Sequence, residues 1–132
     1  FLDDSIVRGT QLKDNVVKLR ECGVKEVHIR IACPPLIYPC CFLNFSTSRS
    51  TFDLFARRVI RDLEGTSELT DEILKPYSDP DSEKYKEMVR VMCQHLQLDS
   101  LQFQRLDDLV KAIGLPKEQL CTHCWDNSSY ME

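Results

Sequence analysis

Residues 3–10, with the sequence DDSIVRGT, constrain the fold and function of this chain more than any other stretch. Two apolar residues precede them and a helical pattern follows, which predicts a loop between a strand end and a helix start. The free N–H groups and positive dipole end of a helix start attract phosphate. Gly9 lets the backbone come close to such a ligand. Ser5 and Thr10 add hydroxyl donors, and Arg8 adds positive charge.

The acidic pair at the start of this stretch requires a different partner, because carboxylates repel phosphate. Asp3 and Asp4 beside a phosphate loop suit sugar hydroxyls or Mg²⁺, a hard ion that prefers oxygen ligands. The competing interpretation is an ordinary strand-to-helix turn, in which the same side chains serve only as caps.

Residues 3–10 resemble the phosphoribosyl pyrophosphate motif of type I phosphoribosyltransferases, in the form carried by the glutamine phosphoribosylpyrophosphate amidotransferase family. The resemblance implies that the two acids hold the ribose 2- and 3-hydroxyls and the associated Mg²⁺, while the loop binds the 5-phosphate. The implied substrate-binding residues are Asp3, Asp4, Ser5, Ile6, Val7, Arg8, Gly9 and Thr10. Gln11 stands where the family usually has a second Thr, which removes one hydroxyl donor and leaves the backbone cradle.

The pattern after this loop predicts an α/β fold. Residues 10–22 carry a helical apolar stripe that ends at Gly23, and residues 24–32 alternate as a strand. Strand, helix and strand form a βαβ unit with parallel pairing, in which ligands lie beyond the carboxyl ends of the strands. We therefore expect a partial parallel-sheet type I phosphoribosyltransferase fold. His28 is interpreted as a residue on the strand face rather than a catalytic base.

The rest of the chain is predicted to be mainly helical. A short strand is predicted at residues 42–45, and a run of Ser and Thr up to Ser50 offers helix caps. Two helical stripes follow, at residues 52–63 and 85–96, and then a short strand near 101–103 and a helix at 106–113. Relative to the family, residues 65–81 are interpreted as an insertion, with a helical turn at 70–74.

Seven cysteines form the second distinctive feature of the sequence. In a secreted domain they would suggest disulfides, but the phosphate motif favours the cytosol, where cysteine clusters more often bind metal. Cys121 and Cys124 form a C-x-x-C, which can hold one metal or cluster corner. Redox chemistry also uses this spacing, although usually at a strand-to-helix junction rather than near a C-terminus.

The family resemblance implies a specific ligand set for these cysteines. Members with a four-iron, four-sulfur cluster have a cysteine in a Pro-rich loop, which aligns with Cys40, and a C-terminal pair, which aligns with Cys121 and Cys124. The fourth ligand would lie upstream of this chain. Cys41 is an alternative to Cys40, and Cys41 or His123 would complete a zinc site instead. The competing interpretation is a set of unligated thiols.

The length and net charge of the chain exclude several classes of protein. The 132 residues allow one modest domain, and a net charge of −4 without a basic block argues against nucleic-acid binding. No apolar run reaches membrane-spanning length and no signal-peptide pattern is present, so we expect a cytoplasmic protein without membrane contact. The chain begins without Met in a strand end, which suggests a piece of something longer.

Two functional hypotheses follow. In the first, residues 1–132 are the C-terminal part of the phosphoribosyltransferase domain of an amidotransferase. The resemblance implies that the parent makes 5-phosphoribosylamine from phosphoribosyl pyrophosphate and glutamine, the first step of de novo purine synthesis. It also implies inhibition by purine nucleotides, an upstream glutaminase domain and a homo-oligomer, with the piece alone inactive. In the second hypothesis, the chain is a stand-alone nucleotide- or metal-binding module without catalysis.

Overall fold

The computed structural model describes residues 1–40, 42 and 50–128. Within them, three parallel strands form one sheet in the order β1 (Leu2–Asp3), β2 (His28–Ile31) and β3 (Ser100–Phe103). The helices are α1 (Thr10–Glu21), α2 (Phe55–Glu64), α3 (Asp71–Leu74), α4 (Glu83–His95), α5 (Leu106–Ile113) and α6 (His123–Asp126). Turns of 3-10 helix lie at Thr51–Asp53, Lys75–Ser78 and Lys117–Gln119. The predicted α/β class and βαβ unit are confirmed.

The predicted strand over residues 24–32 is too long, because β2 begins only at His28. Several backbone groups in the preceding residues form hydrogen bonds with partners other than a neighbouring strand. The N–H of Val24 donates back to the Leu19 carbonyl at 3.1 Å, and the N–H of Val27 donates to the Asp99 carboxylate at 2.7 Å. The Arg20 guanidinium donates a hydrogen bond to the Lys25 carbonyl at 2.6 Å. These bonds leave β2 four residues long.

The core lies between the sheet and the pair α2 and α4, which pack against each other. The predicted apolar stripes of these two helices are confirmed, since their members are among the most buried side chains. The fully buried core residues include Val16, Ile29, Val59, Ile60, Met88, Met92 and Leu96. α2 ends at Gly65, whose φ of 67° is the left-handed conformation that favours glycine. Ser82 caps α4, accepting from the N–H of Tyr85 at 3.0 Å.

The segment interpreted as an insertion is part of this core. The helical turn predicted at 70–74 is present as α3, and Thr70 caps it by accepting from the N–H of Ile73. Leu74 and Tyr77 are buried, and the Tyr77 hydroxyl donates to Glu64 on α2 at 2.6 Å. The segment is therefore well anchored, and its status as an insertion relative to the family stays a prediction.

Helix α5 has the predicted length and ends at Gly114, but none of its residues is buried. It follows β3, the edge strand of the described sheet, and its apolar stripe is only partly covered. Leu106, Leu109 and Val110 are half-buried, and Ile113 is 49% exposed. A regular apolar period therefore predicted the helix correctly without indicating how deeply it would be buried.

Some predictions fall on residues that the structure does not describe. They are the short strand at 42–45, of which only Phe42 is described, and the caps before Ser50. Ser50 itself accepts from the N–H of Phe52 at 3.2 Å, as a cap does. Across the described part of the chain, no helix has the length and apolar character needed to cross a membrane.

Candidate functional site

A cleft of about 550 Å³ opens where β1 ends and α1 begins. Its position matches the rule that ligands of parallel sheets lie beyond the carboxyl ends of the strands. The cleft is lined by Asp3, Ser5, Ile6, Val7, Arg8, Gly9, Thr10, Gln11, Leu12 and Asn15. The structure thus brings most of the sequence-predicted substrate-binding residues to one surface.

The backbone at the start of α1 is arranged to donate. Gly9 precedes the helix with a φ of 75°, and its carbonyl accepts the first helical bond, from the N–H of Lys13 at 3.0 Å. The N–H groups of Thr10, Gln11 and Leu12 lie ahead of that bond, so the helix does not use them. No side chain caps this helix start. These donors, together with the helix dipole, suit an anion in the cleft.

The two acids lie at the carboxyl end of β1, with Asp3 as its last residue and Asp4 directly after it. Both side chains are exposed, and the Asp3 carboxylate accepts from the N–H of Asp4 at 2.9 Å. Asp3 lines the cleft, whereas Asp4 lies outside its lining. Exposed carboxylate oxygens can accept hydrogen bonds from sugar hydroxyls and are ligands that Mg²⁺ prefers, so these residues fit that ion.

The middle of the loop serves the core rather than the ligand. Ile6 is buried with 5% exposure, so its side chain anchors the loop in the hydrophobic core. Ser5 and Val7 are half-buried, while the side chains of Arg8 and Thr10 are exposed. Ile6 can therefore contribute only its backbone to a ligand, whereas Arg8 and Thr10 present free side chains to the cleft.

The loop is held from behind by the first turn of α2, a contact that sequence reasoning missed. The N–H of Phe55 donates to the Val7 carbonyl at 2.8 Å, and the Arg58 guanidinium donates to the Arg8 carbonyl at 2.6 Å. A Cβ placed on Gly9 would lie 3.1 Å from the Phe55 ring. Nothing local in the sequence indicates these contacts, because the partners are about fifty residues apart.

The cysteine loop and the C-terminal C-x-x-C also meet. The N–H groups of Ile37 and Tyr38 both donate to the Cys124 carbonyl, at 2.9 and 3.0 Å. Cys40 is buried, and its thiol lies close enough to Cys124 to influence that thiol. Burial, reinforced by Cys40 and then Cys121, raises the pKa of Cys124 to about 12. Cys40 and Cys124 therefore lie near each other, with the exposed Cys121 nearby.

These thiols fit only part of a cluster site. Among the described residues, no group of three or more His, Cys, Asp or Glu side chains is placed to hold a metal ion. His123 packs its ring against Tyr38, with centroids 6.0 Å apart. Cys41, the alternative ligand, lies outside the described residues. The pair formed by Cys40 and Cys124 can supply two thiolates, and the described chain does not complete the set.

Cys33 lies near the site, whereas His28 lies at the opposite, amino end of β2. Cys33, two residues after β2, is half-buried; its burial, and then the nearby Asp4 and Asp3 charges, raise its pKa to about 11. His28 is exposed on β2, where its ring nitrogens contact Ser100 and Glu26, so it lies on the strand face as predicted.

No family model matches this chain. Known proteins do match it. Over 132 residues it is 31% identical to the amidophosphoribosyltransferase of Mycobacterium tuberculosis, covering 99% of this chain and 20% of that protein. The Methanocaldococcus jannaschii amidophosphoribosyltransferase is 32% identical over 94% of the chain and 20% of its own length. A 40-residue stretch is 62% identical to the Pyrococcus horikoshii amidophosphoribosyltransferase, covering 30% of this chain and 9% of that protein.

Solved structures agree. The allosteric regulatory enzyme of purine biosynthesis matches 96% of this chain and 22% of its own, with a TM-score of 0.64 and 27% identity. Glutamine phosphoribosylpyrophosphate amidotransferase from B. subtilis, complexed with ADP and GMP, matches equally well at 26% identity. The chain spans about a fifth of the length of the full-length relatives. Sequence and fold together therefore identify this chain as a segment of the amidophosphoribosyltransferase family.

Proposed function

We propose that this chain binds the ribose 5-phosphate part of phosphoribosyl pyrophosphate within an amidophosphoribosyltransferase. The observation that carries the proposal is the cleft at the start of α1, which combines unused backbone N–H donors with exposed carboxylates. The N–H donors suit an anion, and the carboxylates suit hydroxyls or a cation. A ribose 5-phosphate has both groups, separated by one sugar ring.

Each group in the cleft has a distinct task in this proposal. The N–H groups at the start of α1 and the hydroxyls of Ser5 and Thr10 hold the 5-phosphate, and Arg8 adds charge. Asp3 and Asp4 hold the ribose hydroxyls and Mg²⁺. When bound, Mg²⁺ would neutralise negative charge on the pyrophosphate group. The chain's own contribution is to fix the position of the sugar while its C1 reacts.

In the whole protein, ammonia from glutamine would displace pyrophosphate at the ribose C1, a glycosyltransferase reaction. Among the described residues that line the cleft, only Asp3 carries a side-chain base, and its task here is the sugar. The segment therefore contributes binding and electrostatic stabilisation. The glutaminase domain, further substrate contacts and a homo-oligomeric assembly belong to the longer protein, which we place in the cytoplasm.

Purine nucleotides are the expected inhibitors. They contain the same ribose 5-phosphate as the substrate, so the same cleft can accept them. The B. subtilis relative is complexed with ADP and GMP, which supports purine nucleotides as ligands of this chain as well.

The cysteines have a structural role in this proposal. In the longer protein, Cys40, Cys121 and Cys124 would supply three ligands of a four-iron, four-sulfur cluster. The proximity of Cys40 to Cys124 supports two of these assignments. Such a site joins a loop to the distant C-terminal segment, and so its loss affects stability rather than the chemistry at the ribose.

Titration of the isolated chain with a purine nucleoside monophosphate tests the nucleotide-binding part of the proposal. NMR shifts of the Gly9 and Thr10 amides should change on binding, since both lie at the expected phosphate position. The amide of Gly114, which ends α5 far along the chain, serves as an internal control. An unchanged spectrum at millimolar nucleotide would refute binding at this loop.

A further inference from the structure

The first turn of α2 forms the rear wall of the phosphate loop. Phe55 contributes its N–H to the Val7 carbonyl at 2.8 Å, and its ring faces Gly9. This turn begins more than forty residues after the loop in the sequence. The conformation of the loop therefore depends on a tertiary contact as well as on its own glycine.

Arg58 is the polar centre of this contact. Its Nη2 donates to the Arg8 carbonyl at 2.6 Å, and its Nη1 donates to the carbonyls of Phe52 and Asp53 at 3.0 and 2.9 Å. The guanidinium carbon also lies 5.5 Å from the centre of the Phe55 ring. One side chain thus joins the phosphate loop to the turn that precedes α2.

The geometry requires arginine in particular. The two terminal nitrogens of a planar guanidinium point to different carbonyls at once, and its flat face stacks on a ring. A lysine has a single nitrogen and cannot bridge the same three carbonyls with equal geometry. Arg58 does not line the cleft, so it does not contact the ligand position directly.

We infer that Arg58 is a positioning residue, which holds residues 8–10 in the conformation that accepts a phosphate. The inference rests on the proposed function for the identity of the ligand. Because Arg58 binds the carbonyl of Arg8, it fixes the peptide that precedes Gly9 and thereby the direction of the N–H groups at the start of α1. The effect of Arg58 on ligands should concern the phosphate rather than the sugar.

The neighbouring Arg57 provides a matched control. It has the same side chain on the same helix, but its Nε donates to the Ile37 carbonyl at 2.5 Å and its guanidinium lies 5.5 Å from the Tyr38 ring. Arg57 therefore fixes the Pro-rich loop that carries Cys40. It is also more buried than Arg58, so a general loss of stability should be larger for Arg57 variants.

The experiment compares Arg58→Met, Arg58→Lys and Arg57→Met with the unmodified chain. Without ligand, amide hydrogen exchange at Gly9 and Thr10 should become faster in Arg58→Met and remain unchanged in Arg57→Met. With ligand, Arg58→Met should bind inorganic phosphate and ribose 5-phosphate about tenfold more weakly, as expected for one lost charged hydrogen bond. Arg58→Lys should recover part of this loss, and Arg57→Met should bind within about twofold of the unmodified chain.

The outcomes separate the inference from the proposed function. If the unmodified chain binds phosphate and Arg58→Met binds it equally well, the positioning role is wrong. The same holds if Arg57→Met loses as much phosphate affinity as Arg58→Met, because a general structural effect would then explain both. If the unmodified chain binds neither probe, the proposed function fails, and unchanged exchange in Arg58→Met would also overturn the role of Arg58 in the loop.

Discussion

The Phe55 ring lies against the backbone of Gly9, so closely that a Cβ on Gly9 would be 3.1 Å from two ring carbons. Gly9 also has a φ of 75°, a backbone conformation that residues with a side chain rarely adopt. Two independent constraints therefore require glycine at the start of α1. Both act on the loop that forms the candidate phosphate site.

Replacing Gly9 with alanine should destabilise the chain and weaken phosphate binding. The left-handed backbone alone costs about 1–2 kcal/mol for a residue with a Cβ, and the contact with Phe55 adds to it. Gly114→Ala is the matched control, because Gly114 has a φ of 79° with nothing within 4 Å of the added Cβ. Urea unfolding should show a larger loss for Gly9→Ala. Equal losses would mean that the Phe55 contact has no energetic effect.

Replacing Asp3 with asparagine should distinguish the contacts with the sugar from the contacts with the phosphate. The change removes a carboxylate charge and keeps the shape, so affinity for ribose 5-phosphate with Mg²⁺ should fall by about tenfold. Affinity for inorganic phosphate should remain the same or rise, because a repulsive charge is lost. Isothermal titration with both ligands measures the difference. An equal reduction for both would indicate that Asp3 is structural.

The pH dependence of stability should include a contribution from Glu64. Hydrogen bonds from Lys84 at 2.5 Å and from Tyr77 at 2.6 Å hold the pKa of this carboxyl below its ordinary value of 4.5. A lowered pKa in the folded state gives stability that is present above pH 4.5 and lost as the pH falls below it. This bond network joins α2, α4 and the turn at Lys75–Ser78.

Urea unfolding of Glu64→Gln at pH 7 and pH 3 tests this contribution. The variant should be less stable than the unmodified chain at the higher pH, and the difference should shrink at the lower pH. Glu87→Gln is the control, since Glu87 pairs with Arg90 one turn along the same helix, where both side chains are about half exposed. A difference for Glu64→Gln that does not change with pH would show that its ion pair has no net effect.

The cysteine assignment leads to a prediction for the longer protein. After anaerobic reconstitution, Cys124→Ser should reduce the iron content and the melting temperature, whereas Cys22→Ser, at an exposed position after α1, should change neither. A metal shared by Cys40 and Cys121 closes a loop of about eighty residues, which is worth several kcal/mol in the chain-entropy model. Iron content that is unchanged in Cys124→Ser would refute the ligand assignment.

The local parts of this fold could be predicted from the sequence, because their signals are local too. The acidic pair, the glycine and the helical period after it indicated a strand, a loop and a helix, and the structure has all three. The early end of β2 could not be foreseen, since its cause is the Asp99 side chain, more than seventy residues away. Val27 is β-branched, as is typical of strands, but its N–H donates to a side chain rather than to a neighbouring strand.

The candidate site likewise has features that a local sequence pattern indicates and features that depend on distant residues. Most of the residues that line it are consecutive in the sequence, so a local motif can indicate them. Its support from Phe55 and Arg58 depends on how α2 packs, which no local pattern encodes. The approach of Cys40 to Cys124 was expected only from the family resemblance, since their spacing in the sequence indicates nothing about distance in space.

The most direct measurement of the central claim is the position of ribose 5-phosphate on this chain. With Mg²⁺ present, amide shifts should place the phosphate at the N–H groups of Gly9, Thr10 and Gln11, and NOEs from the ribose ring protons should place the sugar near Asp3. A second, open apolar cleft, whose lining includes Phe1, Leu19 and Cys22, provides the comparison site. Binding at that cleft, or no binding at millimolar ligand, would contradict the account.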